Sequence, residues 1–329
     1  MEQVTNRRFE YIDFCKVFAM LLVTWAHCAQ QLNGNQFPVM LISKDSFISF
    51  NMAVFMIASG FVINIEKMRE TPFCEFFFSK VIRLLVPMTV WYLILSVVIY
   101  PKHLDYWAAY WYLSSLFVCL MIIKILAIFI SSRFILCFFS IIILSLIPFQ
   151  CFEKTFFMIP FLWVGYALRY TIDRFSNISV AILLTVLYGI LYYYWDIRYS
   201  IYISPFHIWD VDVNSLFSLL YRFLIGAVAG VALILWFRIG LEYQNIQWMK
   251  RMVRYGKYTL VFYTMSFVLN ALIARFIWHL NLYVVSKGLI DLASFTVTVI
   301  MMVVMYLFQK RVERHKILAL ILLGFNYHR

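Results

Sequence analysis

Charged residues are scarce in this sequence. Asp, Glu, Lys and Arg make up 13% of its 329 residues, whereas a soluble domain carries roughly 25%. Hydrophobic residues make up 64% of the chain and aromatic residues 20%. This composition excludes a soluble enzyme, a disordered chain and a fibrous protein, and it indicates an integral membrane protein.

The sequence also lacks any CxxC pair. Its cysteines lie mostly inside or beside apolar stretches, which is typical of buried thiols and not of a disulfide framework or a zinc site. They are Cys15, Cys28, Cys74, Cys119, Cys137 and Cys151. We therefore expect no metal site.

Apolar stretches separated by polar breaks predict about ten membrane-spanning helices in one all-α domain over residues 1–329. The predicted spans are 14–32, 46–65, 83–100, 107–130, 134–149, 156–170, 178–195, 215–237, 258–280 and 288–309. Arg7 and Arg8 precede the first span, but no small-x-small cleavage site follows, so we expect an uncleaved first helix. An even number of spans puts both termini on one side of the membrane.

The basic residues form no patch of the kind that binds nucleic acid, although the formal net charge is +12. Of the 28 Lys and Arg residues, 20 fall in segments on the side of the N-terminus. The opposite segments hold only Lys44, Lys102, Lys154, Arg198 and Lys287, and the remaining three, Lys124, Arg222 and Arg275, fall within spans. The positive-inside rule therefore predicts that both termini are cytoplasmic.

The first predicted helix carries two ionisable residues, Lys16 and His27. They are eleven residues apart, so both lie within roughly 20° of one helix face and about 16 Å apart along the axis. Ionisable residues inside a span are costly, which makes them candidates for function. A structural, hydrogen-bonded histidine and a lysine that reaches the membrane interface are the alternatives. Asp13 is a candidate partner of Lys16 at the i,i+3 spacing.

The third predicted helix begins with a second pair of cations. Lys80 and Arg83 are three residues apart and face the same way, and Pro87 follows. Such a pair at the mouth of a helix can bind an anion, and Arg can hold a phosphate with two hydrogen bonds. The alternative is that these residues only set the membrane topology.

Several short motifs follow one another along the chain. They are Asp13 with Lys16 and His27, the run from Phe50 through Phe55 to Ser59-Gly60-Phe61, Lys80-Val-Ile-Arg83 with Pro87, Trp111-Tyr112-Leu113, Trp163-Val-Gly165-Tyr166, Gly256-Lys257 with Thr259, Leu260 and Tyr263, and Leu323-Gly324. In this order they resemble the acyltransferase-3 family of membrane acyltransferases. Three positions depart from the family pattern: many members have His in place of Asn51 and Ser266, and Pro in place of Ala53.

The resemblance implies transfer of an acyl group, usually acetyl from cytoplasmic acetyl-CoA, to a hydroxyl of a surface glycan or a lipid-linked sugar. It implies that Lys16, Lys80 and Arg83 hold the nucleotide phosphates and that His27 acts as the general base. The sequence contains no readable Ser/Cys–His–acid triad, which favours direct transfer. A location in the bacterial cytoplasmic membrane is also implied, with membrane lipid as a neighbour; the oligomeric state is left open.

Other residues carry weaker indications. Candidates for the pocket or the acceptor site are Asp13, Asn51, Ser59, Trp111, Tyr112, Arg222 and Arg275. The two arginines either bind an anionic acceptor from the outer side or pair with Glu153 or Asp291. Tyr and Trp near span ends, as in Tyr110-Trp111-Tyr112 and Tyr192–Trp195, indicate interfacial anchors. The outer segment 196–214 mixes acidic and aromatic residues, which suits sugars as well as an ordinary hydrated loop.

Two other function classes compete with this interpretation. A transporter or flippase of lipid-linked oligosaccharide needs a crossing cavity lined by charges and no CoA. However, no internal repeat and no inverted pair of Gly- or Pro-broken helices is evident. A glycan polymerase needs critical Arg and His residues in large outer loops, whereas the strongest motifs here lie in the first helix and at the cytoplasmic side.

Overall fold

The computed structural model describes residues 9–33, 42–99, 106–146, 153–175, 177–200, 212–279 and 287–324, and within these residues it is helical, without β-strands. The α-helices are α1 (Glu10–Leu32), α2 (Ile42–Phe61), α3 (Ile65–Glu70), α4 (Phe73–Lys80), α5 (Val86–Ile99), α6 (Tyr106–Ala109), α7 (Trp111–Phe129), α8 (Arg133–Ser145), α9 (Glu153–Phe175), α10 (Ile178–Tyr193), α11 (Val213–Arg238), α12 (Gln247–Val253), α13 (Thr259–His279), α14 (Lys287–Val312) and α15 (Lys316–Leu323).

Within the described residues, six helical stretches are long and apolar enough to cross a membrane. They are Glu10–Leu32, Phe73–Ile99, Trp111–Phe129, Val213–Tyr243, Gln247–Ile277 and Leu289–Val312. Shorter apolar helices cover Ser46–Phe61, Arg133–Ser145 and Ile178–Tyr193. The all-helical membrane fold is therefore as predicted, while the number of about ten spans and the cytoplasmic termini stay predictions. The sixth predicted span, 156–170, is part of the longer helix α9.

Side-chain caps explain where several helices begin. Asn64 accepts a hydrogen bond from the Lys67 amide at the start of α3, and Asn177 caps α10 in the same way. Asp212 and Ser215 form a reciprocal capping box at the start of α11. Such caps satisfy amides that have no partner within the helix.

Helix α1 lies at the centre of the bundle, where it packs against α2, α11, α12, α13 and α14. It is antiparallel to α2, because Phe9 contacts Phe61 at one end and Trp25 contacts Phe47 at the other. The outer helices instead expose large apolar side chains, such as Leu183 on α10 and Phe134 on α8. An apolar surface of this kind suits contact with lipid rather than with water.

Candidate active site

Lys16 and His27 lie on the same uninterrupted helix, α1, as the sequence predicted. Both side chains are half-buried, whereas Met20 and Thr24, which lie between them along the helix, are fully buried. The rise of an α-helix puts the two residues about 16 Å apart along the axis. The helix therefore presents a cation near its first turns and an imidazole near its last turns.

The His27 ring rests against a chain of aromatic rings. It packs on Phe267 of α13, with ring centroids 4.9 Å apart. Phe267 contacts Tyr110 and Tyr263, in each case at 5.3 Å. Tyr112 of α7 then lies 5.6 Å from Tyr263 and 5.4 Å from a phenylalanine of α2. These rings connect α1 to α2 through α13 and α7. We call them the aromatic column, which consists of Phe267, Tyr110, Tyr263, Tyr112 and Phe55.

Hydrogen bonds fix two tyrosines of the aromatic column. The Tyr112 hydroxyl lies 3.2 Å from the Ser59 hydroxyl, and the Tyr110 hydroxyl donates to the Thr264 carbonyl at 3.1 Å. Ser59 and Tyr112, both predicted as pocket residues, are thus joined to His27 through the column. His27 is half-buried, and an imidazole can exchange a proton with a hydroxyl that binds within hydrogen-bond reach.

The tyrosines of this region correct the sequence-based interpretation of aromatic residues. Tyr110 and Tyr112 are 0% and 2% exposed, so they lie in the protein interior and are not interfacial anchors. Tyr193 and Tyr194, at the end of α10, are 82% and 67% exposed, as anchors would be. Neither spacing nor composition distinguishes the buried tyrosines from the exposed ones, because tyrosine suits both the protein interior and the membrane interface.

Lys16 pairs with Asp13 on the preceding helical turn, with 3.8 Å between the ammonium nitrogen and the carboxylate. Asp13 itself lies against Gly256, in the helical turn between α12 and α13. A methyl group added at Gly256 would come within 2.5 Å of the Asp13 Cβ and 2.8 Å of its backbone. The first turns of α1 and the start of α13 therefore meet backbone to backbone at the level of Lys16.

Lys80 and Arg83 lie together on the continuous helix Phe73–Ile99, at a π-helical turn over Val81–Leu85. Pro87 has no amide hydrogen for the Arg83 carbonyl four residues earlier, and a local π-turn is one way in which a helix accommodates such a break. Lys80 is half-buried, with its ammonium 5.1 Å from the Phe76 ring centroid, and Arg83 is exposed. π-Turns inside α-helices occur often at functional sites.

The cations predicted to hold the donor occupy two different helices. Lys16 is on α1, whereas Lys80 and Arg83 belong to the helix formed by α4 and α5. Helix α13 packs against both α1 and α5. The two helices that carry these cations thus pack against the same helix, α13, which carries Phe267 and Tyr263.

The remaining predicted residues lie in different surroundings. Asn51 is buried, and its side-chain oxygen accepts a hydrogen bond from the Met52 amide at 2.7 Å. Trp111 lines a cavity of about 20 Å³ between α2, α7 and α9, which has room for about one water molecule. Arg222 is buried on α11 over the Phe157 ring, at 5.3 Å from its centroid. Arg275 is exposed on α13, about two turns beyond the aromatic column.

No metal centre is found in the described part of the chain: its His, Cys, Asp and Glu side chains form no group of three that could hold an ion. The described cysteines are free thiols. Cys28, next to His27 in sequence, is buried with its sulfur 3.2 Å from the Asn270 side-chain oxygen. Most of the predicted outer loop 196–214 lies outside the described residues, at 201–211.

The order of the short sequence motifs, from Asp13 to Leu323-Gly324, agrees with a known family. The family model described as an acyltransferase domain, which represents the acyltransferase-3 membrane enzymes, matches residues 9–309. The chain belongs to the acyltransferase-3 family. No curated protein and no solved structure matches it. Its apolar helices and this membership identify a multi-pass membrane acyltransferase.

The motif glycines of this acyltransferase have a packing role. Gly60 on α2 and Gly165 on α9 lie where the two helices touch: a methyl group at Gly60 would be 1.8 Å from the Leu162 carbonyl oxygen, and one at Gly165 would be 1.9 Å from the Ile57 carbonyl oxygen. Small residues allow membrane helices to approach closely. Gly60 follows Ser59 directly, so this contact also fixes the partner of Tyr112.

A fourth motif glycine of the acyltransferase ends the last helix. Gly324 has a φ of +68° as the C-cap of α15, a conformation that favours glycine. A methyl group there would lie 2.7 Å from the Arg83 carbonyl oxygen and 3.0 Å from Pro87. The closing motif therefore packs on the π-turn that carries Arg83.

Proposed function

We propose that this acyltransferase is a membrane O-acetyltransferase that moves an acetyl group from cytoplasmic acetyl-CoA to a hydroxyl of a surface glycan or a lipid-linked sugar. His27 is the general base of this reaction. Lys16, Lys80 and Arg83 bind the nucleotide phosphates. The enzyme spans the bacterial cytoplasmic membrane with both termini in the cytoplasm, because basic residues are concentrated on the side of the termini.

One observation carries the proposal: a half-buried imidazole stands on α1 against the aromatic column, with a cation about three turns below it. The pantetheine arm of CoA is on the order of 15–20 Å long, comparable with the rise of about 16 Å from Lys16 to His27. A donor bound at Lys16 can therefore present its thioester at the level of His27. We expect the arm to run along Phe267, which is the half-buried ring of the column.

The cations support a cytoplasmic donor site. Lys80 and Arg83 are three residues apart on one helix and carry like charges, so an anionic ligand bound by both would offset their repulsion. Arg83 is exposed and thus accessible to a phosphate. Lys16, by contrast, is already paired with Asp13, so we expect its contribution to donor binding to be the smallest of the three.

The reaction follows from these positions as one direct transfer. The acceptor hydroxyl oxygen attacks the thioester carbonyl carbon while His27 takes the hydroxyl proton. The new ester C–O bond forms, the C–S bond breaks, and the CoA sulfur leaves as a thiolate that takes the proton from His27. Cys28 is not the nucleophile in this scheme, because its sulfur is buried against Asn270.

The acceptor enters from the outer side in this proposal. We assign Ser59 and Tyr112, whose hydroxyls lie 3.2 Å apart, to the inner part of the acceptor site. Asn51, Trp111, Arg222 and Arg275 are the further candidate acceptor contacts. Arg222 and Arg275 lie on α11 and α13, and a charge on either would favour an anionic sugar.

Binding and turnover of acetyl-CoA by the purified protein in detergent test the proposal. Saturable thermal stabilisation by acetyl-CoA, with release of the free thiol on addition of a glycan acceptor, is the expected result. Matched experiments with CoA and with dephospho-CoA measure the phosphate contribution. A folded, monodisperse sample that binds no acetyl-CoA would refute the acetyltransferase and would favour a lipid-linked oligosaccharide transporter or polymerase.

A further inference from the structure

Lys124 is a buried cation in the C-terminal half of α7. It is 2% exposed, and its ammonium donates to the Met68 carbonyl at 2.6 Å, to the Thr71 carbonyl at 2.7 Å and to the Arg69 carbonyl at 3.5 Å. These carbonyls belong to the end of α3 and the residue that follows it. An ammonium has three N–H bonds, and here each has a backbone oxygen within reach.

Arg69 makes the reverse contact from α3 to the end of α7. Its guanidinium donates to the Ala127 carbonyl at 3.2 Å, to the Ile130 carbonyl at 2.8 Å and to the Ser131 carbonyl at 2.7 Å. The last carbonyls of a helix lack partners within the helix and carry partial negative charge, so a cation is favourable there. Each helix thus caps the C-terminal end of the other. We call this arrangement the reciprocal clamp: Lys124 and Arg69 with the backbone carbonyls to which they donate.

The partners of Lys124 make it sensitive to backbone position. Within the described part of the chain its hydrogen bonds go to backbone carbonyls, and no carboxylate pairs with it. A buried charge is costly unless its hydrogen bonds are complete. Carbonyls of a helix end keep their positions only while that helix keeps its place, so the clamp holds α3 in one position against α7.

The reciprocal clamp lies next to the helix that carries the proposed donor cations. Thr71 is followed by Pro72 and then by α4, and Lys80 is the last residue of α4. Helix α7 contacts the same helix again where the Phe117 ring lies 6.0 Å from the Phe77 ring. Tyr112, in the first turn of α7, is about 18 Å along the axis from Lys124.

We infer that Lys124 is a positioning residue: by holding the end of α3, the reciprocal clamp sets the position of Lys80 and Arg83 relative to Tyr112 and the aromatic column. The part of this inference that concerns the donor rests on the proposed function. The part that concerns the position of α3 and α4 does not.

The test compares Lys124→Met, Lys124→Arg and Arg69→Gln with wild type in lipid nanodiscs. The matched control is Lys67→Gln, because Lys67 is an exposed cation on α3 outside the clamp. We expect faster hydrogen exchange at amides of residues 71–80 in Lys124→Met and Arg69→Gln, and not in the control. We expect KM for acetyl-CoA to rise about tenfold, from the loss of charge-assisted hydrogen bonds, with kcat within about twofold of wild type. Lys124→Arg keeps a cation, so its KM for acetyl-CoA should lie between those of wild type and Lys124→Met.

Unchanged exchange at residues 71–80 in both disruptive variants would overturn the inference. A fall in kcat with unchanged KM would also overturn it, because the clamp would then act on chemistry rather than on donor binding. If Lys124→Met fails to fold, Arg69→Gln decides alone, since Arg69 is only half-buried. If wild type does not turn over acetyl-CoA, the proposed function fails, and the exchange pattern still decides whether the clamp holds α4.

Discussion

The contact between α2 and α9 gives a prediction with a magnitude that comes directly from distances. A Cβ at Gly60 would lie 1.8 Å from the Leu162 carbonyl oxygen, and real Cβ atoms essentially never come closer than 3.0 Å to such an atom. The helices must therefore separate by about 1.2 Å, the difference between these two distances. Overpacking of this kind costs about 1–3 kcal/mol. We expect Gly60→Ala and Gly165→Ala each to lower the free energy of unfolding by about 2 kcal/mol.

Gly189 is the matched control for this prediction, because a Cβ there meets no other atom within 4 Å. Gly189→Ala on the exposed face of α10 should raise the free energy of unfolding by about 0.5–1 kcal/mol, since alanine favours the helix. Equilibrium unfolding in mixed micelles of SDS and dodecyl maltoside measures all three variants. Equal effects of the three substitutions, or a stabilisation by Gly60→Ala, would refute the close contact between α2 and α9.

Two further predictions concern the proposed site. Lys80→Ala and Arg83→Ala should each raise KM for acetyl-CoA about tenfold with little change in kcat, because charge-assisted phosphate contacts are lost. The control is Lys310→Ala, which removes an exposed cation of α14 and should leave KM unchanged. Wild-type donor affinity in the Lys80 and Arg83 variants would exclude a phosphate site at these residues. Tyr112→Phe and Ser59→Ala should each cost about 0.6 kcal/mol of stability, the typical worth of one interhelical hydrogen bond in a membrane. The double variant should cost no more than either single one, and additive losses in unfolding experiments would mean that the two hydroxyls do not interact.

Sequence patterns predicted the parts of the fold that depend on local chemistry. The apolar stretch of α1 and the eleven-residue spacing of Lys16 and His27 are confirmed as one continuous helix. The pair of cations before Pro87 is confirmed on one helix, although its π-turn was not predicted. These features follow from helix periodicity and from the missing amide of proline, both of which can be read from neighbouring residues.

Contacts between distant segments could not be predicted in this way. Phe267 has no distinguishing signal in the sequence, yet its ring packs on His27. Tyr110 was interpreted as an interfacial anchor because it lies near a span end, but it is buried, and its hydroxyl donates a hydrogen bond to the Thr264 carbonyl of α13. Lys124 lay inside a predicted span without an assigned partner, because its partners are backbone carbonyls, which every residue has.

The measurement that tests the central claim most directly is CoA release by wild type beside His27→Ala and His27→Gln, with acetyl-CoA and a glycan acceptor, in parallel with donor binding. Removal of the base should lower kcat by at least about 10²-fold, while thermal stabilisation by acetyl-CoA stays close to that of wild type. Acetyl transfer at the wild-type rate by either variant would contradict the assignment of His27 as the general base.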